Sequence, residues 1–210
     1  MNKEIIDALR FRYAVQTFDP TKIINSEDLH TILESAQLAP SSIGLEAWKF
    51  LVIENKDIRE QLKTVAYGQS KVTDASHLIV LTYRTDYENI ANERLERTAK
   101  TQNESVENLS GLKSMVESGI ARTVADGTYE SWMTSQTYIP LGMMMETASL
   151  LKIDNAAMEG FDANKVNEIL GLKDKNLKVT TMLALGYRGE DPVAKRPKTR
   201  RDFDDVIEFI

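Results

Sequence analysis

Residues Leu78–Leu81 read LIVL, four apolar side chains in a row. Successive side chains of a strand point to opposite faces, so a strand with this pattern is covered on both sides. The run excludes a sheet with one wet face at this position and calls for packing layers above and below it. Two further stretches, WKFLVI at Trp48–Ile53 and VTTMLAL at Val179–Leu185, also read as strands. Helical spacing surrounds them. Ile5, Ile6 and Leu9 share a face within residues 3–10. Leu29, Ile32, Leu33 and Ala36 follow Ser26, the expected cap of a second helix, with Glu27 and Asp28 in its positive first turn. Pro40 comes soon after, where helices stop. Leu62, Val65 and Ala66 point inward from a helix over 56–66. Asp162 is placed to cap a short helix that ends at Leu170–Gly171. Helices separate the strands, so the mixture is α/β or α+β, and no internal repeat is visible.

The most apolar long run is Trp132–Leu151, and it carries Thr134, Ser135, Gln136, Pro140 and Glu146. A membrane-spanning helix wants about 20 mostly apolar residues free of charge. The run therefore reads as the buried helix of a soluble protein, bent near Pro140. The opening MNKEIIDALR is interrupted by charge at once and is not a secretory signal. Residues 86–130 are charged, poor in aromatics and loosely periodic. They are expected to form helices with mobile connections, more exposed than the rest. The final FDDVIEFI alternates apolar and acidic residues and is too short to bury itself, so it calls for a docking surface such as another subunit.

The chain has 210 residues, enough for a single domain, with 42% apolar residues to build its core. It contains no cysteine, which removes disulfides, thiolate metal sites and a cysteine nucleophile and fits a cytoplasmic location. With only His30 and His77, a histidine metal site is not expected. The net charge of −6 argues against nucleic acid or an anionic membrane as partner. Against that balance, Lys195, Arg196, Lys198, Arg200 and Arg201 cluster near the end, and Arg10 and Arg12 near the start. The cluster is either an anion site or a solvated surface, and composition alone favours the surface. The stretch PSSIGLEAW, Pro40–Trp48, is either a plain turn or a loop whose hydroxyls and glycine hold a ligand. Neither GxGxxG nor the P-loop pattern occurs. Asp74, Ser76 and His77 are too close in sequence for triad geometry.

Taken together, ALRFRYAVQTFDP (Ala8–Pro20), LAPSSIGLEAWKFLVI, VTDASHLIVL, WMTSQTYIPLGMM, MEGFD and RPKTR resemble the nitroreductase-like family of FMN-dependent NAD(P)H oxidoreductases. The resemblance covers nearly the whole chain and is strongest to the branch carrying PSS, GLE and WKF. It implies an α+β fold with a central, mostly antiparallel sheet flanked by helices. It also implies an intertwined homodimer in which the C-terminal arm, 195–210, adds a strand to the partner, and a variable lid at 86–130. FMN would sit at the dimer interface. NAD(P)H would donate hydride in a ping-pong cycle, and a small-molecule acceptor such as a nitroaromatic, a quinone or a free flavin would collect the electrons. A non-catalytic FMN binder or sensor of the same fold is the alternative.

Residue by residue, the resemblance places Arg12 at the flavin phosphate and ribityl end, with Tyr13 and Ala14 following along the ribityl chain. Pro40, Ser41, Ser42 and Ile43 would reach FMN from the partner subunit. Gln69 would lie near the pyrimidine ring and Lys71 close to a position that often carries lysine. Glu159 and Gly160 would face the reactive N5 edge. Lys198 and Arg200 would clamp the phosphate. Two departures stand out. Gln16 occupies a position that commonly holds a cation facing the N1–O2 edge, and Glu46–Ala47 stands where many members carry Gln–Pro. No side chain is assigned a catalytic acid or base role, and no metal is expected.

Overall fold

A computed structural model describes residues 1–210. In chain order its helices and strands are α1 (Asn2–Phe11), α2 (Ser26–Gln37), β1 (Trp48–Ile53), α3 (Lys56–Val65), α4 (Lys71–Asp74), β2 (His77–Arg84), α5 (Tyr87–Gln102), α6 (Ser110–Ala125), α7 (Tyr129–Leu150), β3 (Asp154–Met158), α8 (Ala163–Ile169) and β4 (Leu177–Gly186). The four strands form one sheet in the order β1-β2-β4-β3, and every pairing is antiparallel. The fold is α+β, as the resemblance implied.

The LIVL run lies inside β2 at the centre of this sheet, and all four of its side chains are fully buried. Leu78 and Val80 pack with Leu62 and Ala66 of the α3 segment, Val166 of α8 and Met182 of β4. Ile79 and Leu81 face the other way, against Ile32 and Ala36 of α2 and Leu141, Met144 and Ala148 of α7. Burial of each such side chain stabilises the fold by about 1.5–3 kcal/mol. Val65, expected inward, is only half-buried.

Three features differ from expectation. Asn25, not Ser26, caps α2, because its side-chain oxygen accepts from the Asp28 N–H at 2.8 Å and Ser26 is already helical. The apolar helix begins at Tyr129, three residues before the apolar run, and holds Pro140 in its interior. Strand β3 has no strand-like signal in its sequence, DNAAM; it exists because β4 offers a complete ladder from Leu183 to Gly186 and the pairing continues to Met182. Residues 86–130 are helical as expected, but they are not merely peripheral. Ile90, Ala91, Val116 and Ile120 bury themselves with Tyr83, Tyr129, Met133 and Leu45 in a third apolar cluster. No helix is long and apolar enough to cross a membrane.

The stretch after α1 runs along the outer edge of the sheet. Ala14 bridges Asn155 of β3 in parallel, and Phe18 bridges Arg188 just beyond β4. Gly189 donates to the Thr17 carbonyl at 3.0 Å and Asp19 to that of Tyr187 at 2.8 Å. These bonds stitch the opening arginine segment to the chain that leads into the basic cluster.

Candidate functional site

The local chain after α1 is extended at Arg12, which ends the helix, and the Arg12 N–H donates to the Ala8 carbonyl at 3.1 Å. Lys198 donates its ammonium to the Arg10 carbonyl, so the distant tail folds back onto this segment. Arg12, Lys198 and Arg200 then stand near enough to perturb one another. Burial, then Arg200, holds the Arg12 guanidinium below its ordinary value. Burial, then Arg12 and Arg200, does the same to the Lys198 amine. None of the three forms an ion pair, although the chain carries 32 acidic residues. Three cations gathered without a carboxylate repel each other until an anion comes between them. The donor set of two guanidinium forks and an ammonium suits a phosphate.

One turn further on, Asp191 is a hub that sequence reasoning missed. Its carboxylate accepts from the Gln16 N–H at 2.7 Å, the Thr17 N–H at 3.3 Å, the Tyr13 hydroxyl at 3.2 Å and the Val193 N–H at 2.9 Å. Burial opposes its charge, yet the N–H donors of Val193, Gln16 and Thr17 outweigh it and hold the acid below its usual range. Burial, aided by Asp191 but opposed by Arg188, pushes the Tyr13 hydroxyl up to about 12. The Tyr13 ring lies 4.6 Å from the Arg188 guanidinium, which also sits over Phe11 and pairs with the buried Asp154 of β3. The only hint of this network in the sequence is a charged pair, Arg188 and Asp191, immediately after a strand.

Gln16 spends one amide N–H on the Ala14 carbonyl at 2.8 Å, and its oxygen accepts from the Lys71 ammonium at 3.3 Å. Lys71 is only 8% exposed, and burial, partly offset by Asp191, depresses its amine. A buried cation thus stands one side chain away from position 16. Gln69 donates to the carbonyls of Ala66 at 2.9 Å and Gly160 at 2.8 Å. Glu159 accepts from the Tyr138 hydroxyl at 2.8 Å.

Pro40, Ser41, Ser42 and Ile43 form a separate group. The Ser42 N–H donates to Gln136 of α7 at 2.6 Å, and Ser41 accepts the Glu46 N–H at 2.8 Å. Ile43 sits at φ 48°, an unusual conformation for a β-branched residue, and Gly44 and Glu46 are left-handed as well. No hydrogen bond joins this loop to Arg12, Gln16, Lys71, Glu159 or Lys198 within one chain. The larger clefts of the single chain, such as those around Glu54 and His77 or between α5 and α6, contain none of the residues expected at the flavin. Arg97 pairs with Glu46 at 3.5 Å, giving the second sequence departure a local partner.

In this antiparallel α+β fold the opening segment and the tail bring Arg12, Lys198 and Arg200 together with no ion pair to a carboxylate. Comparison makes the class specific. The sequence profile described as Nitroreductase family matches residues 9–187. A Staphylococcus epidermidis protein named "Putative NAD(P)H nitroreductase" is 38% identical, with 100% of this chain and 98% of the relative covered. The chain belongs to the Nitroreductase family. The crystal structure of a nitroreductase-like protein from Streptococcus mutans superposes with a TM-score of 0.85 at 21% identity, covering all of both chains. An Exiguobacterium sibiricum protein described as a "putative nitroreductase in complex with FMN" gives 0.80 at 20% identity over 98% of this chain and 97% of that one.

Proposed function

We propose that the chain is an FMN-dependent NAD(P)H oxidoreductase, working as a homodimer on small-molecule acceptors. The observation that carries this reading is the set of cations without an ion pair, Arg12, Lys198 and Arg200 at one end and Lys71 at the other, linked by the short segment Arg12–Gln16. The NAD(P)H nitroreductase name of the 38% identical relative and the FMN bound in the Exiguobacterium neighbour support it.

The chemistry supplied by bound FMN is hydride uptake from NAD(P)H and electron delivery to a nitroaromatic, quinone or flavin. The chain's own work is binding, orientation and electrostatics. Arg12, Lys198 and Arg200 would hold the phosphate, and Tyr13 and Ala14 would follow the ribityl chain. Gln69 would orient the pyrimidine end, and the backbone of Glu159 and Gly160 would line the reactive edge. Lys71, with Gln16 as its hydrogen-bond partner, would supply a desolvated positive charge to stabilise the reduced flavin. That assignment gives the lysine the role expected of a cation at position 16. Ser41 and Ser42, whose loop makes no hydrogen bond to these groups in its own chain, complete the site of the partner subunit. The exposed tail from Phe203 onward carries the same dimer contact.

An anaerobic titration tests the reading. Purified protein is expected to be yellow, to bleach with NAD(P)H and to recolour with a quinone. Bound FMN that NAD(P)H does not bleach would favour the non-catalytic binder. A colourless protein that takes up no added FMN sinks both. Arg200→Ala should lose FMN several-fold more readily than Arg201→Ala, whose guanidinium instead meets the Asp205 carbonyl; equal losses would remove Arg200 from the phosphate clamp.

A further inference from the structure

Arg59 of α3 is 7% exposed, which is rare for an arginine without a carboxylate partner. Its guanidinium instead gathers backbone carbonyls. It donates through Nε to Val72 at 2.7 Å, through one terminal nitrogen to Ser76 at 3.2 Å, and through the other to Ala75. Those carbonyls belong to α4 and the two residues after it. Helix α4 has four residues, far too few to persist by its own hydrogen bonds. An arginine across the end of such a turn satisfies its unpaired carbonyls and complements their negative ends. Ser76 is fixed from a second side, because its hydroxyl accepts the Ile24 N–H at 2.8 Å.

The residue that opens α4 is Lys71, whose backbone carbonyl accepts the Ala75 N–H and whose ammonium reaches Gln16. We propose that Arg59 is a positioning residue: by clamping the carbonyls of Val72, Ala75 and Ser76, it sets the one-turn helix that aims Lys71 at Gln16 and the flavin. This inference rests on the FMN reading given above. A lysine at position 59 preserves the charge but not the fork, since one ammonium on a flexible stem cannot span three carbonyls. The clamp therefore acts through geometry, and its effect on the flavin passes through Lys71.

The test is the midpoint potential of FMN bound to wild type, Arg59→Lys, Lys71→Met and the double variant, with melting temperature recorded for each. Arg59→Lys should lower the preference for reduced over oxidised FMN about tenfold, or about 30 mV for a two-electron couple. Lys71→Met should lower it at least as far, and the double variant should match Lys71→Met alone. An unchanged potential in Arg59→Lys, or two shifts that simply add, would overturn the proposal. Arg59→Gln, which keeps an amide donor, repeats the reading should the lysine variant not fold. Failure of both to fold assigns Arg59 a purely structural role and also overturns it. A wild type that binds no FMN is a separate result, since it removes the flavin reading itself.

Discussion

Charge at single positions decides most of what this chain can hold. The absence of a cation at Gln16 and the lysine at position 71 are both legible in the family motifs, but the hydrogen bond that joins the two side chains is not. The two lie 55 residues apart and meet only because α4 is turned toward the opening segment. Asp191 was equally invisible, because an acid after a strand is ordinary until four donors converge on it. The phosphate cradle makes a prediction with a defined sign. Burial, Arg12 and Arg200 hold the Lys198 amine below its ordinary value of 10.5. A phosphate between these cations favours the charged amine and raises its pKa again, so binding takes up protons in the alkaline range. FMN affinity should therefore fall as pH rises through the free-state value. Calorimetry in two buffers of different ionisation enthalpy reads the uptake directly. Binding without proton uptake at alkaline pH would place the phosphate elsewhere.

At the scale of elements, the strands with an apolar signal and most helices were readable because burial and periodicity coincide in them. The loop Pro40–Glu46 was not, because its shape depends on contacts from α5 and α6. Arg94 of α5 lies against Gly44, where an added Cβ would stand 2.8 Å from its Nε, and Ile43 packs toward Gly119 of α6. Gly44 is needed for two reasons, its φ of +66° and this close approach. Gly127 shares the left-handed backbone, at φ +67°, but has nothing within 4 Å. Alanine at position 127 should thus cost only the backbone term, roughly 1–2 kcal/mol. Gly44→Ala should cost measurably more in chemical denaturation and loosen the loop that carries Ser41 and Ser42. Equal losses at the two positions would show that Arg94 yields freely.

For the whole molecule, the tail is the unresolved demand of the single chain. Phe203, Val206, Ile207, Phe209 and Ile210 are all exposed, with Phe209 at 88%, and Ile5, Ile6 and Leu9 of α1 are exposed too. Apolar surface left this open calls for a covering partner. Deleting residues 203–210 should convert a dimer to monomer by sedimentation and release FMN together with it. A truncated protein that keeps the dimer mass would remove the tail from the interface.

Patterns that a short window can hold were set by the sequence itself: the two-faced central strand, the helices around it, the missing cysteines and the ordered motifs of the Nitroreductase family. Relations between distant segments were decided only in three dimensions. Strand β3 forms because β4 offers it a ladder, the Lys71 ammonium reaches the Gln16 oxygen, and Asp191 gathers donors from Tyr13, Gln16 and Thr17 across nearly the full length of the chain. The physical reason is one of range. Propensity and periodicity act between near neighbours, whereas pairing, desolvation and charge repulsion depend on which surfaces the packed core brings face to face.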